Sequence, residues 1–234
     1  MVERDGLPYV AGALIGAALC YIASIVLGWN WPLALTALLA LLCLFFLYFF
    51  RSPERRADAG PRDVISPADG RVIRIDHLES YDGFSGPAIR IAIFLSVFDV
   101  HVNWTPVAGT VSFVDYHPGK FHLAYEDKAS ANNERTEIGL KTADGPVVFK
   151  QIAGALARRI VCRLSPGQCV RAGEKFGMIK FGSRAEVILP AGSEALVRLK
   201  QHVRGGHTIL ARLAPTNIPS PVNGVDLTGR TTGS

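Results

Sequence analysis

Phe176-Gly-Met-Ile-Lys-Phe-Gly-Ser-Arg-Ala-Glu-Val-Ile-Leu-Pro190 is the stretch on which the fold turns. Ile179 and Phe181 alternate with Lys180, and Val187 and Leu189 flank Ile188. This pattern predicts two short strands joined through Gly182-Ser183, where glycine supplies the backbone freedom of a tight turn. The same dipeptide carries a second reading. A serine hydroxyl held in a strained turn sits where it can attack the carbonyl before it. The stretch alone leaves both readings open.

Outward from it the texture stays β-rich. Val64-Ile65, Arg71 to Ile75, Ala88 to Leu95, Gly109 to Val114, Thr136 to Leu140, Val147 to Ile152, Glu194 to Leu199 and Thr208 to Leu213 recur between Gly and Pro signals. Such spacing, roughly 8 to 15 residues, predicts a mainly β sandwich or barrel. Pro67-Ala-Asp-Gly70-Arg-Val72 and Pro106-Val-Ala-Gly109-Thr-Val111 share a Pro-x-x-Gly-x-Val shape. Ser165 to Gly177 resembles the hammerhead turn of lipoyl and biotinyl carrier modules. Together these predict a flattened β barrel of quasi-repeated halves, with residues 153–159 as a short helix and 125–131 as a loop.

Ahead of residue 51 the chain changes character. Tyr9 to Leu27 and Pro32 to Phe50 are apolar runs, each about 18 to 20 residues, the length that crosses a hydrocarbon core. Gly28-Trp-Asn-Trp-Pro32 breaks them, with tryptophans suited to a headgroup layer, and Tyr48 suits the other interface. Arg51, Arg55 and Arg56 follow, and basic flanks favour the cytoplasmic side. The domain plan is therefore a membrane hairpin over 1–50, a polar linker over 51–63, a β-rich domain over 64–213 and a disordered tail over 214–234. A hairpin dipping into one leaflet, or one buried in a soluble core, is the alternative. A signal peptide fits poorly, because no small-residue cleavage site follows a single short apolar region.

The 234 residues carry 25 Lys and Arg against 20 Asp and Glu, a net +5. That balance suits nucleic acid or an anionic membrane surface. Cys20 and Cys43 lie in the apolar runs, and Cys162 and Cys169 have no histidine at ligand spacing, so no metal is expected. His101 follows an almost wholly apolar strand, where burial can tune it for proton transfer or simply leave it a core histidine. His77, His117, His202 and His207 read as surface groups, and His122 is ambiguous. Asp69 is either a turn residue or a carboxylate that orients a histidine. Asn133-Glu134-Arg135 is either a phosphate anchor or a local ion pair.

In order along the chain, Ser66-Pro-Ala-Asp69-Gly, Leu95-Ser-Val-Phe-Asp-Val-His101-Val-Asn, Gly119-Lys-Phe, Asn133-Glu-Arg and Phe181-Gly-Ser183-Arg together resemble the phosphatidylserine decarboxylases, in their short bacterial and archaeal branch. The resemblance spans about residues 51 to 213. It implies a proenzyme that cuts itself between Gly182 and Ser183, giving a large chain 1–182 and a small chain 183–234. Ser183 becomes a covalent pyruvoyl cofactor, which forms a Schiff base with the serine headgroup of phosphatidylserine and yields phosphatidylethanolamine and carbon dioxide. It further implies His101 as general acid or base, Asp69 as its orienting carboxylate, and Asn133, Arg135 and Lys120 as substrate or phosphate contacts. Longer members carry a second histidine three residues after the first; here Trp104 stands there, leaving the cleavage base undecided between His101 and another group such as His122. The membrane hairpin then explains the charge as attraction to lipid rather than nucleic acid. The rivals are a pyruvoyl decarboxylase of a soluble amino acid and a membrane-anchored lipoyl-like adaptor without catalysis. Oligomeric state is left open.

Overall fold

In the computed structural model, residues 1–82, 84, 86–119, 133–154, 159–180 and 183–215 are described. The N-terminal helices are α1 (Leu7–Leu27) and α2 (Trp31–Phe49). Fourteen strands follow among the described residues: β1 (Asp63–Ile65), β2 (Gly70–Leu78), β3 (Ala88–Leu95), β4 (Val102–Trp104), β5 (Gly109–His117), β6 (Arg135–Thr142), β7 (Gly145–Ala153), β8 (Ile160–Cys162), β9 (Cys169–Val170), β10 (Lys175–Ile179), β11 (Ser183–Pro190), β12 (Glu194–Ala195), β13 (His202–Val203) and β14 (Ile209–Arg212).

The fold is mainly β. An eight-stranded antiparallel sheet runs β13-β2-β3-β11-β7-β6-β5-β9 and curls into a half-barrel. Two three-stranded sheets, β4-β10-β8 and β1-β14-β12, complete the β structure. Strand β11 lies between β3 and β7, so its two faces are distinct environments. Ala185, Val187 and Leu189 face inward with Ile91, Ile93 and Phe149 of the core. Arg184 and Glu186 face the other way and form a buried ion pair at 2.7 Å. A charge taken from water needs such a partner, because an isolated buried ion costs several kcal/mol or more.

The two Pro-x-x-Gly-x-Val segments have a common cause. In each, the glycine is the first residue of a long strand, Gly70 of β2 and Gly109 of β5. A Cβ on Gly70 would stand 2.1 Å from the Phe94 carbonyl oxygen, and one on Gly109 would stand 2.6 Å from that of Lys141. Gly70 also has φ 144°, which only glycine adopts without strain. The turn that carries Asp69 is therefore locked to the end of β3.

One expectation is corrected. The strands on either side of Gly182-Ser183 do not form a hairpin: β10 pairs with β4 and β8, whereas β11 pairs with β3 and β7. The chain thus passes from one sheet to another between β10 and β11. Lys180, expected on the polar side of a hairpin, is buried, with Nζ 3.4 Å from the Asp5 carbonyl and 5.1 Å from the Tyr9 ring centre. The expected helix over 153–159 begins on Ala153, which closes β7, and residues 155–158 lie outside the described residues. So do the loop over 125–131 and residues 216–234 of the tail.

Both helices are long and apolar enough to cross a membrane. Gly28 ends α1 in the left-handed conformation, and a proline opens each helix. Leu19, Ile22, Ile25, Leu41 and Leu44 are exposed, so the hairpin is not the buried centre of a soluble core. The end of α2 enters the domain: Phe49 and Phe50 are fully buried against Val100, Val102, Trp104 and Met178.

Candidate active site

Ser183 opens β11 opposite Leu95 on one side and Ala153 on the other. It is fully buried, on the inward face beside the small cluster of Ala68, Leu95 and Ala185. Upstream, the Ile179 amide donates to the His101 carbonyl at 3.1 Å. Ile179 is thereby tied to His101, and Ser183 to Leu95.

His101 is also fully buried, and its ring centre lies 4.2 Å from that of Phe49. Its Nδ1 is 2.9 Å from the Asp99 carbonyl oxygen. A carbonyl only accepts, so Nδ1 carries the hydrogen and Nε2 presents a lone pair. Burial pushes the His101 pKa down to about 4, while Asp99 and Asp69 pull it up and the Arg51 charge pulls it down. The ring is thus neutral at pH 7, and its free nitrogen is a base.

Ser183 Oγ, His101 Nε2 and Gln151 Oε1 are buried without a hydrogen-bond partner among the described residues. Leaving such an atom unpaired costs about 1–3 kcal/mol, so each of the three is a polar atom whose burial stability alone does not explain. Gln151 stands opposite Ala185 on the ladder, one step along the inward face from Ser183. Its Nε2 donates to Asn103 Oδ1 at 2.9 Å and to the Val161 carbonyl at 3.1 Å.

The other expected residues divide. Asp69 is buried, but its carboxylate accepts from both Arg55 nitrogens (the Nη2 contact at 3.0 Å) and from the Gly205 amide at 2.8 Å. The group that orients the His101 ring by hydrogen bonding is the Asp99 carbonyl; Asp69 reaches it through charge. Arg55, expected beside lipid, is instead held in this ion pair. Trp104, in the place of a second histidine, is fully buried under Arg55 and against Gly205. Asn133 donates to the carbonyl of Ala153, the residue opposite Ser183, at 2.7 Å. Arg135 lies on the outward face, its Nε 2.8 Å from Glu137. Gly182, Lys120 and His122 lie outside the described residues.

Arg135 and Glu137 belong to a cleft of about 560 Å³ shared with Tyr81, His117 and Lys150. Glu137 accepts from Lys150 and Tyr81 at 2.9 Å as well as from Arg135. Burial works against its charge, but these partners prevail and hold its pKa at about 2. No group of His, Cys, Asp and Glu among the described residues is arranged to hold a metal.

A family model for phosphatidylserine decarboxylase matches residues 42–211. This chain belongs to the phosphatidylserine decarboxylase family. The phosphatidylserine decarboxylase proenzyme of Symbiobacterium thermophilum is 46% identical over 214 residues, 91% of this chain and 96% of its own length. That of Paramagnetospirillum magneticum is 44% identical over 220 residues, 92% of this chain and 88% of its own. That of Magnetococcus marinus is 40% identical over 214 residues, covering 91% and 95%. The match begins at residue 42, inside α2, so the decarboxylase family region includes the helix end that packs on His101. Sequence reasoning missed Asp99, Gln151 and Phe49 as parts of this site. Asp99 acts through its backbone, Gln151 sits in an ordinary strand pattern, and Phe49 reads as one more apolar residue of a membrane run.

Proposed function

We propose that this chain is a self-processing, pyruvoyl-dependent decarboxylase that converts phosphatidylserine to phosphatidylethanolamine in the membrane. The observations that carry the reading are the buried, unpartnered Ser183 Oγ at the head of β11 and a neutral, buried His101 whose tautomer leaves Nε2 free and whose carbonyl is bonded to the end of β10.

In maturation, His101 Nε2 takes the proton from Ser183 Oγ, and the oxygen attacks the Gly182 carbonyl. The Gly182–Ser183 peptide gives way to an ester, and the proton passes to the freed nitrogen. Elimination across Cα–Cβ of residue 183 expels the Gly182 carboxylate and leaves a dehydroalanine. Addition of one water then releases ammonia and leaves a pyruvoyl group at the head of chain 183–234. Positioned acid–base help of this kind is worth about 10²–10⁴-fold.

A pyruvoyl group supplies a carbonyl for the substrate amine and an electron sink for the pair released with carbon dioxide. Around it, His101 Nε2 holds and returns the proton that product formation needs. Asp69 steadies the 67–70 turn through Arg55 and Gly205, and its charge raises the basicity of His101. Asn133 positions the strand opposite Ser183, and Gln151 and Asn103 hold the facing sheet. Arg135, engaged with Glu137, serves the outward face, whereas Lys120 keeps a proposed phosphate contact from the resemblance alone.

The catalytic domain lies on the cytoplasmic side, with Arg51 and Arg56 near anionic lipid, where each basic residue adds about 1 kcal/mol of attraction. The test is carbon dioxide release by the full chain reconstituted in vesicles. Phosphatidylserine in the bilayer should be decarboxylated and free serine should not. Release from free serine alone would reassign the substrate, and release from neither would end the proposal.

A further inference from the structure

The face of α2 nearest the domain forms an apolar groove of about 540 Å³ with the tip of the 96–100 loop; Leu38, Leu41, Leu42, Phe45, Tyr48 and Phe98 line it. Phe98 is 66% exposed, an aromatic ring that water would not favour at a loop tip. Its backbone is nevertheless fixed. Its carbonyl accepts from Arg51 Nη2 at 2.7 Å and from the Tyr48 hydroxyl at 3.1 Å. Arg51 Nη1 donates to the Tyr48 carbonyl at 2.8 Å, and the guanidinium lies 4.0 Å from the centre of the Tyr48 ring.

Among the described residues Arg51 hydrogen-bonds neutral carbonyls and forms no ion pair with a carboxylate. That charge is felt at His101, where it opposes protonation. His101 is three residues beyond Phe98, within about 10 Å of extended chain, and it packs on Phe49, next to Tyr48. The order thus runs from an apolar groove, to a cation held by neutral carbonyls, to the buried base. A phospholipid with a serine headgroup has its parts in the same order: acyl chain, phosphate, amino acid.

We propose that the groove between α2 and Phe98 holds one acyl chain of the substrate lipid, placing its phosphate at Arg51 and its headgroup toward His101. The proposal rests on the decarboxylase reading above. The groove lies on a helix able to cross a bilayer, so an acyl chain is the occupant its surroundings supply. Arg51 is the feature that selects a chain attached to a phosphate rather than lipid in general. Exposed Phe98 then has a purpose, since it forms the wall of the groove that the membrane helix lacks.

The test compares kcat/KM of the full-length enzyme, in a neutral detergent, for dioleoyl and dihexanoyl phosphatidylserine. In Phe98→Ala the preference for the long-chain lipid should fall about tenfold, equivalent to 1.4 kcal/mol, and Phe98→Leu should restore most of it. Leu41→Ala, on the opposite wall, should act in the same direction. An unchanged ratio in both alanine variants would mean that bulk lipid or detergent fills the groove, and would overturn the proposal. Inactivity of the unmutated enzyme on both lipids would strike the decarboxylase reading itself, and this inference would fall with it.

Discussion

On the outward face of the eight-stranded sheet, Glu137 accepts hydrogen bonds from Arg135, Lys150 and Tyr81, and every charge in the cluster has a partner. On the inward face, one layer away, Ser183 Oγ, His101 Nε2 and Gln151 Oε1 are buried with none among the described residues. The outward cluster has the more obvious cleft and the denser charge. Yet it looks like a stabilising network, because its groups hold each other in their ordinary charged states. The inward group is apolar around its polar atoms, holds its histidine neutral, and leaves the proposed nucleophile and base without competing partners among the described residues. Chemistry is read from what is left unsatisfied rather than from where charge is concentrated.

Exchanging the key residue on each face should separate the two roles. His101→Gln should slow self-cleavage by at least about a hundredfold while changing the urea midpoint little, because glutamine keeps a polar side chain that can still donate to the Asp99 carbonyl. Glu137→Leu should do the reverse, with cleavage near normal and stability lower by roughly 3 kcal/mol, since Lys150 and Arg135 lose their partner. A His101→Gln protein that cleaves at the normal rate would remove that residue from maturation.

Acid should dissect the same pair. The folded pKa of His101 lies below its unfolded value of about 6.5, so the unfolded chain binds the extra proton first. Its contribution is present above pH 6.5 and is lost as pH falls through about 4, on the order of 3 kcal/mol in all. Glu137 is also depressed, so its contribution is intact above its unfolded pKa and is lost as pH falls toward about 2. Denaturation curves of the detergent-solubilised protein should therefore lose stability in two stages, and His101→Gln should remove the upper stage only.

Smaller effects probe the supports. Gly70→Ala forces a methyl against the Phe94 carbonyl at an unfavourable φ, and should cost about 1–3 kcal/mol. Asp69→Asn leaves Arg55 without its counter-charge and withdraws one group that raises the His101 pKa. The rate of self-cleavage should then show its lower pH limb displaced downward; an unmoved limb would show that Asp69 does not act on His101 by charge.

Much of this was legible in the sequence. The strand runs, the Pro-x-x-Gly-x-Val turns and the helical hairpin follow from period, glycine placement and run length, which are local properties. Ser183, His101 and Asp69 stood out because their motifs occur in order. Long-range pairing was less legible. The alternation around Gly182-Ser183 looks like a hairpin, yet β10 and β11 belong to different sheets, a fact decided by partners far away in the chain. Arg55 reads as a lipid-facing cation because its partner, Asp69, is separated from it by the linker. Phe49 reads as membrane because nothing local distinguishes the last turn of α2, which enters the domain, from the turns before it.

The central claim is that Ser183 is a latent nucleophile, and intact-mass measurement of the purified full-length protein tests it most directly. The account predicts two chains, residues 1–182 and a fragment from position 183 that begins with a pyruvoyl group, and a single uncut chain for Ser183→Ala. A wild-type protein that stays one chain, with residue 183 still a serine, would contradict it.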